Sequence, residues 1–398
     1  MTSAPHLLII GLDCAEPSLV FEQWRDELPT LAHLMRLGSY GTLESCIPAI
    51  TVPAWSCMMS GRDPGELGIY GFRNRVDRSY QRMSTADGRA VRVPRLWEIA
   101  SEAGWRVATV GIPGTYPPQP VNGALVSCFL TPSTASPYTY PPELATQIAG
   151  WVGDYMLDVP NFRSEEKARI LRDIYTLCDQ HFTVADRLLT HYTPDLLMLV
   201  EMGVDRIHHA LWKQMDPRHP KYIPNAPLHA AVHDYYQHVD QRINGLLQRC
   251  GDETVVLVVS DHGARPLMGG VCINEWLQTE GYLTLKQRPD RAIALDQATI
   301  DWQNTRAWGA GGYYGRIFLN VQGREPEGTI PPAAYERERT ALAERLRAMN
   351  GPDGQPLGNR VFIPQYIYRS VRGVAPDLIV YFGDLAWRAI GTIGGDEL

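Results

Sequence analysis

The chain has 398 residues, 44% of them apolar and 20% charged, with a formal net charge of −7. That is an ordinary globular composition, long enough for one large α/β domain with insertions or for two domains. The acidic balance gives no electrostatic reason to expect nucleic acid, no apolar run reaches the ~18 residues of a membrane span, and residues 1–6 lack the basic region of a secretion signal.

Seven cysteines (Cys14, Cys46, Cys57, Cys128, Cys178, Cys250 and Cys272) include no Cys-x-x-Cys pair. This points to reduced thiols and a soluble, cytoplasmic protein. In chain order, the apolar run from His6 ends in Gly11, Leu12 and Asp13, which predicts a buried parallel strand with Asp13 at its C-terminal tip. Pro29 and Thr30 open a helix predicted over 28–37, residues 41–45 can form the next strand, and Pro53 suits the first turn of a helix running to Ser60 and stopped by Gly61. A helix over 95–103 and a strand over 105–112 follow. The segments 113–120 and 131–142 read as loops.

Residues 168–189 make the longest amphipathic helix candidate, leading into a buried strand over 195–202. Another helix spans 228–247, and Thr254 to Ser260 is the strongest strand pattern in the chain. Strand and helix alternate, so the fold class is α/β, with a mostly parallel central sheet covered by helices on both faces. After Gly263 the pattern changes to short strands (316–321), a charged helix (334–349) and Gly/Pro turns, while 376–382 reads as a return to the main sheet. The expected organisation is a metal-binding core of residues 1–263 and 373–398, with 264–372 as an inserted cap or substrate lobe.

Chemistry concentrates at strand ends, where ligands sit in open α/β sheets. Asp13, Asp205 and Asp261 all fall at such positions, with His209 and His262 close by. Each has a plain structural reading: Asp13 as a turn residue, Thr51 as a helix N-cap, Asp205 as helix-start polarity. His208 leaves the choice of imidazole open, and the i, i+4 spacing from Asp205 favours His209. Two polar residues, Asp261 and His262, directly after a long apolar strand are harder to explain structurally.

In order and spacing, Gly11-Leu12-Asp13, Thr51-Val52-Pro53-Ala54-Trp55-Ser56, Asp205-Arg206-Ile207-His208-His209, Ser260-Asp261-His262-Gly263 and Gly323 to Gly328 resemble the alkaline phosphatase superfamily. The resemblance is to the branch of type I phosphodiesterases, nucleotide pyrophosphatases and predicted phosphohydrolases or phosphomutases, and it covers nearly the whole chain. It implies two divalent ions, usually zinc, with manganese or magnesium as alternatives. The first would be held by Asp13, Thr51, Asp261 and His262, and the second by Asp205 and His209. The family's last histidine lies near the C-terminus, whereas no histidine follows His262 here. Either a final segment is missing or the second metal is short of a ligand.

Thr51 aligns with the family nucleophile. Sulfatases use Cys or Ser followed by Arg two residues after Pro, where this chain has Trp55. Threonine is what the phosphodiesterase and pyrophosphatase branch uses. The implied activity is metal-dependent hydrolysis of a small phosphoric ester or nucleotide through a phospho-threonine, with Thr51 catalytic. Two other readings stay open: a phosphotransferase or phosphomutase, and a metal-binding protein without turnover. Asn74 lies near the place of the pyrophosphatases' asparagine, and Arg73, Arg75 and Arg265 are candidate phosphate contacts with surface positions as the plainer reading. No membrane partner is expected, and oligomeric state is not legible.

Overall fold

The computed structural model describes residues 4–395; the outermost ends of the expected core, 1–3 and 396–398, lie outside them. The described chain forms two compact units, one from residues up to 62 with 86–264, the other from 63–85 with the residues from 265 onward.

The first unit is built on a six-stranded sheet. Its strands are β1 (Leu7–Leu12), β2 (Val107–Val110), β3 (Gly123–Val126), β4 (Thr139–Tyr140), β5 (Leu196–Glu201) and β6 (Val255–Val259). They lie in the order β4-β3-β2-β5-β1-β6, all parallel except the short edge strand β4. The flanking helices are α1 (Pro29–Leu37), α2 (Thr51–Ser60), α3 (Leu96–Glu102), α4 (Leu144–Val152), α5 (Lys167–Tyr192), α6 (Gly203–Met215) and α7 (Ala231–Leu247). The expected α/β class, with a mostly parallel sheet flanked by helices, is therefore what the chain forms.

Register sets the site. Leu12 of β1 lies opposite Glu201 of β5, and Gly11 lies opposite Val259 of β6. Three adjacent parallel strands thus end at one level, and Asp13, the start of α6 and Asp261 all leave the same sheet edge. β1 and β5 are buried along their length because parallel strands are covered on both faces.

Several elements differ from expectation. Residues 41–45 form no strand, and Leu43 is largely exposed, so that segment has no apolar face to bury. β6, the strongest strand by pattern, is the sheet's edge, with Val255 and Leu257 exposed. Apolar periodicity reports β-strand preference but not position in the sheet. The segment 131–142 contains β4, and α4 and β3 had no separate sequence prediction.

The second unit holds a four-stranded antiparallel sheet of β7 (Ala307–Ala310), β8 (Gly315–Leu319), β9 (Arg360–Phe362) and β10 (Leu378–Tyr381), in the order β7-β8-β10-β9, beside helix α9 (Tyr335–Arg347), with α8 (Ile273–Thr279) earlier in the chain. The expected return of 376–382 to the main sheet does not occur: β10 pairs with β8 and β9. A four-residue apolar strand buried on both faces looks the same in either sheet, and only pairing tells them apart.

Residues 63–85, expected in the core, belong to this unit as well. Their anchor is Arg75, whose guanidinium stacks at 5.1 Å on Trp308 and 4.9 Å on Phe318 and lies 3.6 Å from Glu325. Burial lowers the pKa of Arg75, and Glu325 opposes that.

Candidate metal centre

Thr51 and every candidate metal ligand, Asp13, Asp205, His209, Asp261 and His262, lie in the first unit. Asp13 follows β1 at a position where Gly11, two residues earlier, admits the ring of Trp55. A Cβ at Gly11 would collide with that ring and with Val200. The approach lets Trp55 Nε1 donate to Asp13 Oδ2 at 2.7 Å, from the fully buried first half of α2.

The chain beyond β1 is laced to the chain beyond β6. Cys14, at φ 65°, donates its backbone N–H to Asp261 Oδ1 (3.1 Å) and its thiol to the Gly263 carbonyl (3.4 Å). Ala15 N–H donates to Ser260 Oγ (2.9 Å), and Ala264 N–H to a Glu16 carboxylate oxygen (3.0 Å). Ser45 Oγ donates to the Asp261 carbonyl at 2.6 Å, tying the segment that leads into α2 to the same loop.

Thr51 is the first residue of α2, not its N-cap. The cap position is Ile50, and no side chain caps this helix. The hydroxyl that a capping role would have turned to the helix backbone lies instead 3.3 Å from His262 Nε2. That same nitrogen is 3.3 Å from Asp261 Oδ2 and 3.7 Å from Asp13 Oδ1. Asp13, Asp261 and His262 form a cluster able to hold one cation.

The fit can be tested on distances. Four ligands about 2.1 Å from a tetrahedral zinc are about 3.4 Å from one another; His262 Nε2 stands 3.3, 3.3 and 3.7 Å from the Thr51, Asp261 and Asp13 oxygens, and the Asp13, Asp261 and His262 atoms lie within 4.8 Å of one another. Asp13 Oδ1 and Asp261 Oδ2 are buried and accept no hydrogen bond from the described residues. Two carboxylate oxygens with no donor, facing an imidazole nitrogen, are unfavourable unless a proton or a cation joins them. The set fits a divalent ion.

Electrostatics agree. Burial first, then Asp261 and Asp205, push Asp13 well above the usual carboxylate range. Burial also raises Asp261, to about 6, against the pull of His262. Burial works against a charge on His262, but Asp261, Asp13 and Asp205 together raise it to about 9. The cluster holds protons that a metal would displace.

Asp205 and His209 sit one turn apart at the start of α6, with His209 Nε2 3.4 Å from Asp205 Oδ1. Burial opposes the charge on Asp205, yet His209 and Arg206 hold its pKa below the usual range. Its other oxygen, Oδ2, accepts from Arg206 Nη1. Arg206 also grips Asp158, at 2.6 and 2.9 Å. This pair supplies two metal donors, and among the described residues no third joins them in a cluster. His208 is a core histidine: burial lowers its pKa to about 3, and Tyr236 Oη lies 3.2 Å from its Nε2.

Glu201, at the tip of β5, accepts at Oε1 from Gly203 N–H and Tyr235 Oη, each at 2.6 Å. Burial raises its pKa to about 7. Gly203 has no room for a Cβ beside Tyr235 Oη, so the glycine is what lets this buried acid brace the first turn of α6. Sequence reasoning assigned no role to Trp55, Arg206, Asp158 or Glu201. Trp55 and Arg206 lie inside the motifs already noted, whereas nothing local marks Asp158 or Glu201.

Arg73, Asn74, Arg75 and Arg265 belong to the second unit, and the side chains of the last three have partners there. Asn74 is used in a turn with Tyr70 and Gly71, Arg75 is buried as described, and Arg265 pairs with Asp384 at 3.5 Å.

A sequence-family model described as type I phosphodiesterase / nucleotide pyrophosphatase matches residues 7–397. No curated protein matches the chain by sequence. Among solved structures, phosphonoacetate hydrolase from Sinorhizobium meliloti 1021, in complex with phosphonoacetate, is similar with a TM-score of 0.63 at 15% identity, covering 100% of this chain and 83% of that one. An inactive variant of murine ectonucleotide pyrophosphatase / phosphodiesterase 5, in complex with AMP, gives 0.52 at 13% identity, covering 99% and 82%. The fold is that of the alkaline phosphatase superfamily.

Proposed function

Because the chain belongs to the type I phosphodiesterase / nucleotide pyrophosphatase family, we propose that it is a metal-dependent phosphoric ester hydrolase with Thr51 as nucleophile. The observation that carries this reading is the position of Thr51 Oγ1: 3.3 Å from His262 Nε2, beside two buried carboxylate oxygens that lack a donor. A threonine hydroxyl is almost wholly protonated at neutral pH, and a divalent ion held by Asp13, Asp261 and His262 would lower its pKa and polarise the phosphoryl group.

Thr51 Oγ would then attack phosphorus, the bond from phosphorus to the ester oxygen would break, and the departing oxygen would take up a proton. Water would cleave the phospho-threonine and restore the hydroxyl. The position of Thr51 at the N-terminus of α2 favours the negative phosphoryl oxygens. Trp55 holds Asp13, and the Cys14 and Ser45 hydrogen bonds hold Asp261.

We propose two divalent ions, zinc by the donor set. The first would bind tightly to Asp13, Thr51, Asp261 and His262. The second would bind more weakly to Asp205 and His209, since a site with two protein ligands binds zinc less well than one with three or four. The substrate is read as a small phosphate ester or nucleotide, in keeping with the phosphonoacetate and AMP seen in the two similar structures. The absence of any disulfide among the described cysteines supports a cytoplasmic setting. Among the described residues no helix is long and apolar enough to cross a membrane.

The test is Thr51→Ala in metal-loaded protein with a chromogenic phosphodiester. Turnover should fall by about 100-fold or more through loss of the covalent step, with the circular dichroism spectrum unchanged. Full activity in that variant would overturn the assignment. Adding an acceptor alcohol and analysing the products separates hydrolysis from phosphotransfer.

A further inference from the structure

Away from the strand tips, helices α5 and α7 hold a second group of metal-ligating side chains between them. Cys178 and Asp179 are consecutive residues of α5, and His238 lies on α7. One donor atom from each, a thiol sulfur, a carboxylate oxygen and an imidazole nitrogen, lies within 4.8 Å of the other two. None of these residues belongs to the centre described above.

Their exposure is graded from core to solvent. Cys178 is fully buried, His238 is partly covered and Asp179 is half-exposed, so an ion could enter from the Asp179 side. His238 Nε2 lies 2.8 Å from Asp179 Oδ1, and in the metal-free protein a proton joins the two. The imidazole is flanked by the rings of Tyr175, at 4.8 Å, and Tyr235, at 6.3 Å. Arg242 Nε stands 3.5 Å from the same carboxylate oxygen without a hydrogen bond to it. That guanidinium donates instead to the Asp179 carbonyl (3.3 Å) and to Thr183 Oγ1 (3.2 Å).

We propose that Cys178, Asp179 and His238 form a zinc site separate from the catalytic centre, with water as the fourth ligand and the ion clamping α5 to α7. Thiolate, imidazole and carboxylate are the three donor types that zinc takes, and three protein ligands leave one tetrahedral position open. The ion takes the place of the proton between Nε2 and Oδ1, and the imidazole stays neutral by carrying its proton on Nδ1. The Nε2 to Oδ1 distance then widens to about 3.4 Å, the ligand spacing around a tetrahedral zinc, which a half-exposed aspartate can meet by rotating. Burial raises the pKa of the Cys178 thiol and keeps it protonated. Binding therefore forms the sulfur–zinc bond as the S–H proton leaves to water. The thiolate and the carboxylate together balance a divalent charge.

Cobalt(II) is the probe, because a sulfur ligand gives it a strong near-ultraviolet charge-transfer band that oxygen and nitrogen ligands alone do not. The donors of the catalytic centre contain no sulfur, so the band separates the two places. Reduced protein is titrated with Co2+ under argon. The band should appear in the parent and in Cys14→Ser, which controls for the thiol nearest the catalytic centre, and should be absent in Cys178→Ala. Added Zn2+ should bleach it. In His238→Gln the Co2+ affinity read from the band should fall by about tenfold or more, at least the loss that follows removal of a group that only orients a ligand.

No sulfur band in the parent would overturn the proposal, and so would a band that survives in Cys178→Ala. Should Cys178→Ala fail to fold, His238→Gln decides: an affinity equal to the parent's overturns the site, and a weakened one supports it. The band should persist in Thr51→Ala, so the fate of this site and that of the hydrolase reading are read separately.

Discussion

At the residue scale, the site is a problem of buried charge. Asp13, Asp261 and Asp205 crowd one sheet edge, and their mutual repulsion in a buried setting is relieved by His262, His209 and Arg206, by the hydrogen bonds from Trp55 and Cys14, and by whatever cation joins them. Trp55 matters because it donates to Asp13 Oδ2 at 2.7 Å, while Oδ1 accepts nothing from the described residues. Trp55→Phe keeps most of the buried ring but strips that donor, leaving a second oxygen of Asp13 without a partner. Metal affinity, read by competition with a chromophoric chelator, should weaken by about 10- to 100-fold, as for other groups that orient a metal ligand. The fold itself should lose about 1–3 kcal/mol. An unchanged metal affinity would mean that Asp13 is held in place by the cation alone. Asp13, Asp261 and His262 could be singled out in the sequence through the order and spacing of their motifs, since an aspartate after a strand is by itself a common turn residue. The indole that orients them could not, since a tryptophan in a buried helix is ordinarily packing.

At the element scale, short helices depend on help from afar. α1 begins with Leu28 as its N-cap, which offers no side-chain acceptor. Its first N–H groups are met instead by Asp240 of α7: Thr30 N–H donates to Oδ2 at 2.9 Å and Leu31 N–H to Oδ1 at 2.8 Å. A carboxylate at a helix N-terminus also faces the positive end of the dipole. Asp240→Ala should therefore destabilise the protein by about 1–2 kcal/mol, the range for a lost cap, measured as a shift in the urea midpoint at constant slope. No shift would show that solvent satisfies those N–H groups equally well. Proline at the start of α1 and Gly61 at the end of α2 were readable stop and start signals, because they act within a turn of where they sit. The cap from a residue about 210 positions away was not. The same limit explains residues 41–45, where a strand-like composition found no neighbouring strand, and β6, whose apolar run became an edge.

At the scale of the whole molecule, metal, protons and stability are coupled. His262 has its pKa raised to about 9, so in the metal-free protein its contribution is complete below its ordinary pKa of about 6.5 and is lost as pH rises to about 9. Asp261, raised to about 6, loses its contribution earlier, between its ordinary value and pH 6. The histidines with lowered pKa values, His181, His208 and His209, act only below about 6.5, where the unfolded chain takes up protons that the folded one refuses. Between pH 6.5 and 9 the metal-free Tm should therefore fall. Added divalent ion must displace those protons, so its stabilisation should grow over the same interval, reaching about 2.7 kcal/mol where free metal is 100 times its Kd. A metal-induced rise in Tm that is independent of pH would show that the cation binds elsewhere. The sequence by itself determined the alternation of strand and helix, the residue types at three strand tips and the likeness to a phosphodiesterase family, because these rest on local periodicity and short motifs. Tertiary structure alone decided that β10 joins a second sheet, that Thr51 turns from a capping role to His262, and that Arg206 sits on Asp205. Strand pairing and charge neutralisation depend on which distant segments become neighbours, and nothing in a local stretch of chain encodes its partner.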